Sequence, residues 1–328
     1  MKNKPIIILN GEPNSIFLEI FFKSLKNKNY KSPIILVSSY ELIKFYMKKL
    51  KFNKKINIID FNNFNNSKLI RNSINLINVK FKLNKNWNKI SKKSNKFIYQ
   101  SFNLGLKLLN KGKTYKFING PISKKNFLNK KFPGITEYIA SKVGTKKYAM
   151  LIYNKNLSVC PLTTHIPLKK VAKKITKKNI HDKVSLITSF YKKYRSFKPR
   201  IAILGLNPHC ESTDKYNEDE KIIKPSIKYL ARLGYRVTGP HSADTIFLKK
   251  NRKKYDVILG MYHDQVLTPI KTIHEYDAIN ITIGLPFIRI SPDHGPNERM
   301  IGKNSSNPLS LIKAINFLDK NRSKQKIV

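Results

Sequence analysis

Three of the seven histidines directly follow, or fall a few residues beyond, short apolar runs. His165 lies in Leu162-Thr163-Thr164-His165-Ile166-Pro167, beyond the run ending at Cys160. His209 lies in Gly205-Leu206-Asn207-Pro208-His209, after Ile201 to Leu204, and His263 lies in Gly260-Met261-Tyr262-His263-Asp264-Gln265, after Val257 to Leu259. If the runs are strands of an open α/β sheet, the imidazoles stand at their C-terminal ends, where such sheets bind ligands. Neutral imidazole is the commonest ligand of divalent transition metals, and three protein ligands with open positions is the catalytic arrangement. The same placement also suits imidazoles that only hydrogen-bond within their loops, and the wide separations form no local zinc signature. A second group lies downstream: Lys271, Asn280 and Arg289. Lysine, arginine and an amide together are the inventory for holding a phosphate or carboxylate, and they are equally compatible with solvated surface charge.

The elements that must position these residues alternate along the chain. Ile6–Leu9, Ile34–Val37, Ile56–Ile59, Ala149–Ile152, Ile201–Leu204, Val257–Leu259 and Ile279–Thr282 read as buried strands. Helical periodicity lies between them. Val184, Ile187, Tyr191 and Tyr194 share one face, and Leu311, Ile315 and Leu318 form a stripe behind Asn307-Pro308, a helix-start signal. The alternation predicts an α/β protein with a mainly parallel sheet. The Asn- and Lys-rich segment 62–96 reads as an irregular excursion with one or two edge elements. Thr213–Glu220 reads as an acidic polar loop.

Composition removes several classes. The 328 residues, 41% of them hydrophobic, suffice for real cores and are too apolar for a disordered chain. No apolar run approaches a membrane span, and the N-terminal run is too short for a signal core. Two cysteines in no CxxC pattern give no disulfide framework, so a reducing, cytoplasmic setting is expected, with no membrane partner. The net charge of +46 invites a nucleic-acid reading, but the basic residues are 56 Lys and only 9 Arg. The lysines are spread along the chain among Asn and Ile, and arginine is the base- and phosphate-reading residue. The charge is therefore read as compositional, with no specific nucleic-acid partner. Fingerprints for a Rossmann dinucleotide site, a P-loop or a serine-hydrolase elbow are absent.

Taken in order, the blocks resemble the 4-hydroxythreonine-4-phosphate dehydrogenases, NAD-dependent enzymes of pyridoxal phosphate biosynthesis. They are Asn10-Gly11-Glu12-Pro13, Asn119-Gly120-Pro121-Ile122-Ser123-Lys124, Gly134-Ile135-Thr136-Glu137, Thr163 to Leu168, Gly205 to His209, Ala243 to Phe247, Tyr262 to Gln265, Asn280 to Arg289 and Asp293-His294-Gly295. The order matches from residue 5 to about 320. The resemblance implies a two-lobed isocitrate/isopropylmalate dehydrogenase-like fold with a cleft between the lobes. Residues 1–125 and 270–328 would form the cofactor-side lobe, and 126–269 the lobe with the metal ligands and dimer contacts.

The resemblance further implies that His165, His209 and His263 bind one divalent ion (Zn, Mg, Mn or Co), while Thr136, Lys271, Asn280 and Arg289 bind substrate. Asp264 and Lys271 would take catalytic roles, and His294 and Gly295 would belong to the NAD or NADP loop. The implied enzyme is a homodimer with its sites at the interface. It would oxidise 4-phosphohydroxy-L-threonine to 2-amino-3-oxo-4-phosphonooxybutanoate, which decarboxylates to 3-amino-2-oxopropyl phosphate. Alternatives are a dehydrogenase of threonate or erythronate phosphate and a polyanion-binding non-enzyme. The chain departs from the pattern at Asn14 to Leu18, where the family has small Gly-rich residues, and at Ile135, where it has His. It departs again at Val266, where the family has Gly, and at Pro296, Asn297 and Ile301. Bulky side chains at glycine positions are expected to re-aim backbone near ligand.

Overall fold

The computed structural model describes residues 3–26, 28–83, 89–128, 132, 134–213, 216–292 and 295–320, except the side chains of Lys124 and Lys125. The chain forms two compact units, 1–139 with 286–328, and 140–285. In chain order the first unit contains β1 (Ile6–Leu9), α1 (Phe17–Leu25), β2 (Ile34–Ser38), α2 (Tyr40–Lys49), β3 (Ile56–Ile58) and β4 (Ile74–Asn78). It continues through α3 (Asn95–Asn110), β5 (Lys116–Asn119), α4 (Lys124–Phe127) and the start of α5 (Ile135–Lys142). The second unit holds β6 (Ala149–Tyr153), β7 (Ser158–Pro161), α6 (Lys177–Arg195), β8 (Ile201–Leu204), α7 (Lys224–Arg232) and β9 (Val237–His241). After these come α8 (Ala243–Ile246), α9 (Lys249–Arg252), β10 (Val257–Gly260), α10 (His263–His274) and β11 (Ile279–Ile283). The chain returns to the first unit with β12 (Ile288–Ser291) and α11 (Leu309–Lys320).

Both boundaries fall later than the sequence placed them, which moves Lys271 and Asn280 into the second unit and Thr136 into the first. Packing explains both shifts. Tyr138 of α5 meets Phe102 and Phe127 edge-on, holding the first turn of α5 in the first unit. In the second unit, α10 packs on β7 and β10, and β11 pairs with β6 along its whole length.

In the first unit the strand order is β3-β4-β2-β1-β5-β12, and every pairing is parallel. Ile6 to Leu9 and Ile35 to Val37 are fully buried, which is why these strands read as unbroken β-branched runs. In the second unit the order is β11-β6-β7-β10-β8-β9. There β6 runs antiparallel to both neighbours, and β7, β10, β8 and β9 are parallel. Its core gathers Ile152, Val159, Leu204, Ile258 and Val266, among others. Helix α6 starts on Thr176, whose hydroxyl accepts from the Asn179 amide at 3.1 Å, and buries Val184, Ile187 and Tyr191 as the periodicity required. The Asn307 side chain accepts from Leu309 N at 2.9 Å, and α11 buries the expected Leu311, Ile315 and Leu318. Among the described residues, no helix is long and apolar enough to cross a membrane.

One element corrects the sequence reading. Segment 62–96 holds β4, which is no edge strand but lies between β3 and β2. Its polar second residue, Asn75, is fully buried with all four amide hydrogen-bonding positions used. Nδ2 donates to the Ile34 and Ile70 carbonyls, both at 3.0 Å, while Oδ1 accepts from Ile70 N at 2.8 Å and Asn57 Nδ2 at 2.9 Å. Because the amide is satisfied, an Asn-rich run can form an interior strand. Replacing Asn75 by Ala should therefore lower stability by about 1–3 kcal/mol, seen as a lower urea midpoint with an unchanged slope.

Candidate active-site residues

In the second unit, the loops bearing His165, His209 and His263 follow β7, β8 and β10, three parallel strands that adjoin in the order β7-β10-β8. The His165 and His263 rings stand 5.7 Å apart between centroids. His263 is the first residue of α10, and its Nδ1 lies 2.7 Å from Asp264 Oδ1. Asp264 is 80% exposed, so its contact is with the imidazole and with solvent. A carboxylate on Nδ1 fixes the tautomer and leaves Nε2 as the donor a metal would use.

His209 (φ +54°) and Cys210 (φ +64°) are consecutive non-glycine residues in the left-handed region, a conformation that costs energy and must be held by its surroundings. The brace is Asp219. Its buried carboxylate accepts from Leu206 N at 2.8 Å, Asn207 N at 3.1 Å and Asn207 Nδ2 at 3.0 Å. Gly205 is required beside it, because a Cβ there would sit 2.6 Å from Asp219 Oδ1. Gln265 then joins two loops: Oε1 accepts from Met261 N at 2.7 Å and Nε2 donates to Gly205 O at 2.8 Å. Thr163 joins the third, its hydroxyl donating to Met261 O at 2.8 Å. The three histidine loops are thus cross-bonded to one another. Among the described residues, no group of three His, Cys, Asp or Glu side chains is drawn together tightly enough to hold an ion. The observed juxtaposition is the His165–His263 pair, with His209 on the neighbouring strand end.

Also in this unit, Lys271 is half-buried on α10, and burial lowers its pKa from the ordinary lysine value. Asn280 lies on β11 opposite Ile152, and its buried Oδ1 has no hydrogen-bond partner among the described residues. An orphaned acceptor of this kind is what a ligand's hydroxyl or ammonium would satisfy. Val266 is fully buried beside Gly260, where a Cβ would lie 2.4 Å from Val266 Cγ1. The departure from glycine therefore fills core, contrary to the expectation that it re-aims backbone near ligand.

In the first unit, Arg289 on β12 is fully buried. Its Nε donates to Asn119 Oδ1 at 2.7 Å, at the end of neighbouring β5, and its Nη1 donates to Thr136 Oγ1 at 3.0 Å. Burial pulls the guanidinium down to about 10, partly offset by the Glu137 carboxylate, so it stays charged at neutral pH. Ile135 begins α5 and is partly buried. Directly after β1, Asn10 and Glu12 are buried, and Ser15 Oγ donates to Glu12 O at 2.7 Å. Phe17 and Leu18, two of the bulky departures, lie in the core. Gly295 is exposed, while Asp293 and His294 lie outside the described residues, as do the side chains of Lys124 and Lys125. The sequence reading missed Gln265 and Asp219. Asp219 stood in a segment read as polar loop, and its only local signal was scarcity, since the chain has 19 acidic residues against 65 basic ones.

Two predictions arise from these contacts. Gln265→Leu keeps the side chain's bulk but strands Met261 N and Gly205 O, so it should cost about 1–3 kcal/mol. It should also speed amide hydrogen exchange at residues 205–210 while leaving the first unit unchanged; uniform exchange rates across 205–210 before and after would refute the bracing. Burial pushes Glu12 up to about 7 from 4.5, the Asn14 amide offsetting part of the shift. Native Glu12 therefore binds its proton more tightly than the unfolded chain. Its contribution lowers stability progressively as pH rises from about 4.5 to about 7, by up to ~3 kcal/mol, and is constant beyond. Urea unfolding across that range should show the decline in the parent relative to Glu12→Gln. A pH-independent difference between the two proteins would contradict it.

Residues 29–318 match the family described as "Pyridoxal phosphate biosynthetic protein PdxA". The chain is 40% identical over 317 residues to a 4-hydroxythreonine-4-phosphate dehydrogenase from Sulfurihydrogenibium sp., covering 94% of this chain and 96% of that one. A D-threonate 4-phosphate dehydrogenase from Pectobacterium atrosepticum is 38% identical over 165 residues, half of each chain. Among solved structures, a 4-hydroxythreonine-4-phosphate dehydrogenase from Klebsiella pneumoniae superposes with a TM-score of 0.82 at 26% identity, covering 96% of this chain and 98% of that one.

Proposed function

The chain belongs to the pyridoxal phosphate biosynthetic protein PdxA family and is a dehydrogenase; from that premise we propose that it oxidises 4-phosphohydroxy-L-threonine with NAD or NADP and a divalent metal. The product, 2-amino-3-oxo-4-phosphonooxybutanoate, loses carbon dioxide to give 3-amino-2-oxopropyl phosphate. We place this work in a cytoplasmic homodimer. The observation that carries the reading is the set of three histidine loops at adjoining strand ends, cross-bonded through Gln265 and Thr163.

The donor chemistry fits a metal. Three imidazoles come from neighbouring strand ends, and one is already polarised by a carboxylate. His165, His209 and His263 would hold the ion. When bound, the ion would supply Lewis acidity toward the substrate's oxygens, and the nicotinamide would supply the oxidant. The chain's own residues do the rest. Asp264 orients His263. Arg289, pinned by Asn119 and Thr136, presents a fixed charge to the substrate's phosphate or carboxylate. Asn280 Oδ1 accepts a hydrogen bond from the substrate's hydroxyl or ammonium. Lys271, its proton loosened by burial, binds an anionic group and is the residue suited to moving a proton.

A second reading rests on Ile135. The family's His at this position can donate a hydrogen bond or carry charge, and Ile does neither. Threonate 4-phosphate lacks the substrate's amine and is the alternative, in keeping with the Pectobacterium relative. The deciding experiment follows NADH formation over 4-phosphohydroxythreonine, threonate 4-phosphate and erythronate 4-phosphate with the metal varied. The first should give the highest kcat/KM, and preference for either of the others moves the protein to the second reading. On 4-phosphohydroxythreonine, Ile135→His should raise kcat/KM about tenfold to a hundredfold, the worth of one hydrogen bond to a charged group. A fall in kcat/KM would mean that the pocket is built around Ile135.

A further inference from the structure

The amino ends of β2, β3 and β4 in the first unit border a cavity of about 900 Å³, within the size range of small-molecule sites. Five exposed or half-exposed lysines line it: Lys26 and Lys28 between α1 and β2, and Lys51, Lys54 and Lys55 between α2 and β3. None of the five ammonium groups has an ion-pair or hydrogen-bond partner among the described residues. The sixth lysine, Lys23, is already committed, donating to Glu19 Oε1 at 2.9 Å and to the Asn304 and Ser306 carbonyls at 2.8 and 3.0 Å. Five like charges around one concavity repel one another and raise the local concentration of anions. Lys51 is also held at φ +48°, a conformation lysine seldom adopts.

The cavity has an aromatic side as well. Phe52 is partly exposed, and its other face stacks on buried Phe22, with centroids 4.8 Å apart and planes 19° from parallel. A ring backed in this way is a rigid platform for a second flat ring. Buried Glu19 also borders the cavity, and its Oε2 has no partner among the described residues. The site lies at the opposite end of the first unit's parallel strands from Asn10 and Asn119, which stand at the carboxyl ends, where the Arg289 side chain reaches Asn119. It therefore shares no residue with the groups assigned to dehydrogenation.

We propose that this lysine-lined cavity, floored by Phe52 on Phe22, is a second ligand site that binds a nucleoside polyphosphate. The phosphates lie among Lys26, Lys28, Lys51, Lys54 and Lys55, and the base stacks on Phe52. Here lysine charge, concavity and a flat apolar platform coincide. Inorganic polyphosphate shares the phosphate chemistry but would not use the ring.

The test is calorimetric titration of the full-length protein with ATP and, separately, with inorganic tripolyphosphate, at about 150 mM salt and with saturating NAD to fill the cofactor site. ATP should bind with one site per chain. A variant with Lys51, Lys54 and Lys55 all changed to Ala should weaken ATP at least tenfold. A control with Lys249, Lys250 and Lys253 changed to Ala removes the same charge from exposed positions in the second unit and should weaken it less than twofold. Phe52→Leu, which keeps an apolar side chain over Phe22, should weaken ATP at least threefold and leave tripolyphosphate unchanged. Equal losses in the two triple variants would reduce the binding to net charge and overturn the proposal. Abolition of ATP binding by NAD would assign the nucleotide to the cofactor site and also overturn it. A Phe52→Leu effect on neither ligand, or on both, would remove the base from the account. None of these results bears on the dehydrogenase reading, which NADH formation tests separately.

Discussion

The buried carboxylate of Asp219 makes the rest of the second unit's site possible. A charge at zero exposure is costly unless hydrogen bonds replace its water, and here three donors from Leu206 and Asn207 do so. Those bonds fix the loop after β8, which lets His209 and Cys210 occupy left-handed backbone that neither would hold alone. Gln265 carries the constraint to the loop after β10, and Thr163 carries it to the loop after β7. Each link is a side chain bonded to another loop's backbone, so the arrangement is specified by tertiary structure and not by local propensity. This is the kind of support that a metal or catalytic constellation needs beneath its ligands.

The first unit solves a related problem in the opposite way. Arg289 keeps its charge while fully buried because Asn119 and Thr136 take two of its N–H groups and Glu137 supplies negative potential. A guanidinium suits this role better than an ammonium, since its planar fork can be held by neutral acceptors and still present a face to an anion. The 56 lysines that dominate the chain's charge stay mostly at the surface. The fully buried cation, Arg289, is one of only nine arginines, which is why composition alone says so little about function.

Much of this was legible in the sequence, for identifiable reasons. Strands buried on both faces appear as unbroken β-branched runs, so β1, β2, β8 and β10 were plain. The placement of three histidines at strand ends followed from the same runs. Strand β4 was misread because its burial depends on Asn75 making four hydrogen bonds, two to Ile70 five residues away and one each to Ile34 and Asn57 in other segments. Strand β5 was hidden by Lys116, a buried lysine whose Nζ donates to Ser32 Oγ at 2.9 Å. The unit boundaries moved because aromatic packing at Tyr138 and strand pairing at β11 are long-range events. For the same reason the bracing role of Gln265 gave no signal. Gln265 acts on a carbonyl 60 residues away, and no local pattern encodes that distance.

The proposal on which the rest turns is that His165, His209 and His263 together bind one divalent ion, although only His165 and His263 stand side by side among the described residues. Metal content after exhaustive dialysis tests it most directly, with the parent compared against His165→Ala, His209→Ala and His263→Ala, each checked for native circular dichroism. One divalent ion per chain in the parent and its loss from every single variant is the predicted result. Stoichiometric metal retained at parental affinity by any one of the three would contradict it.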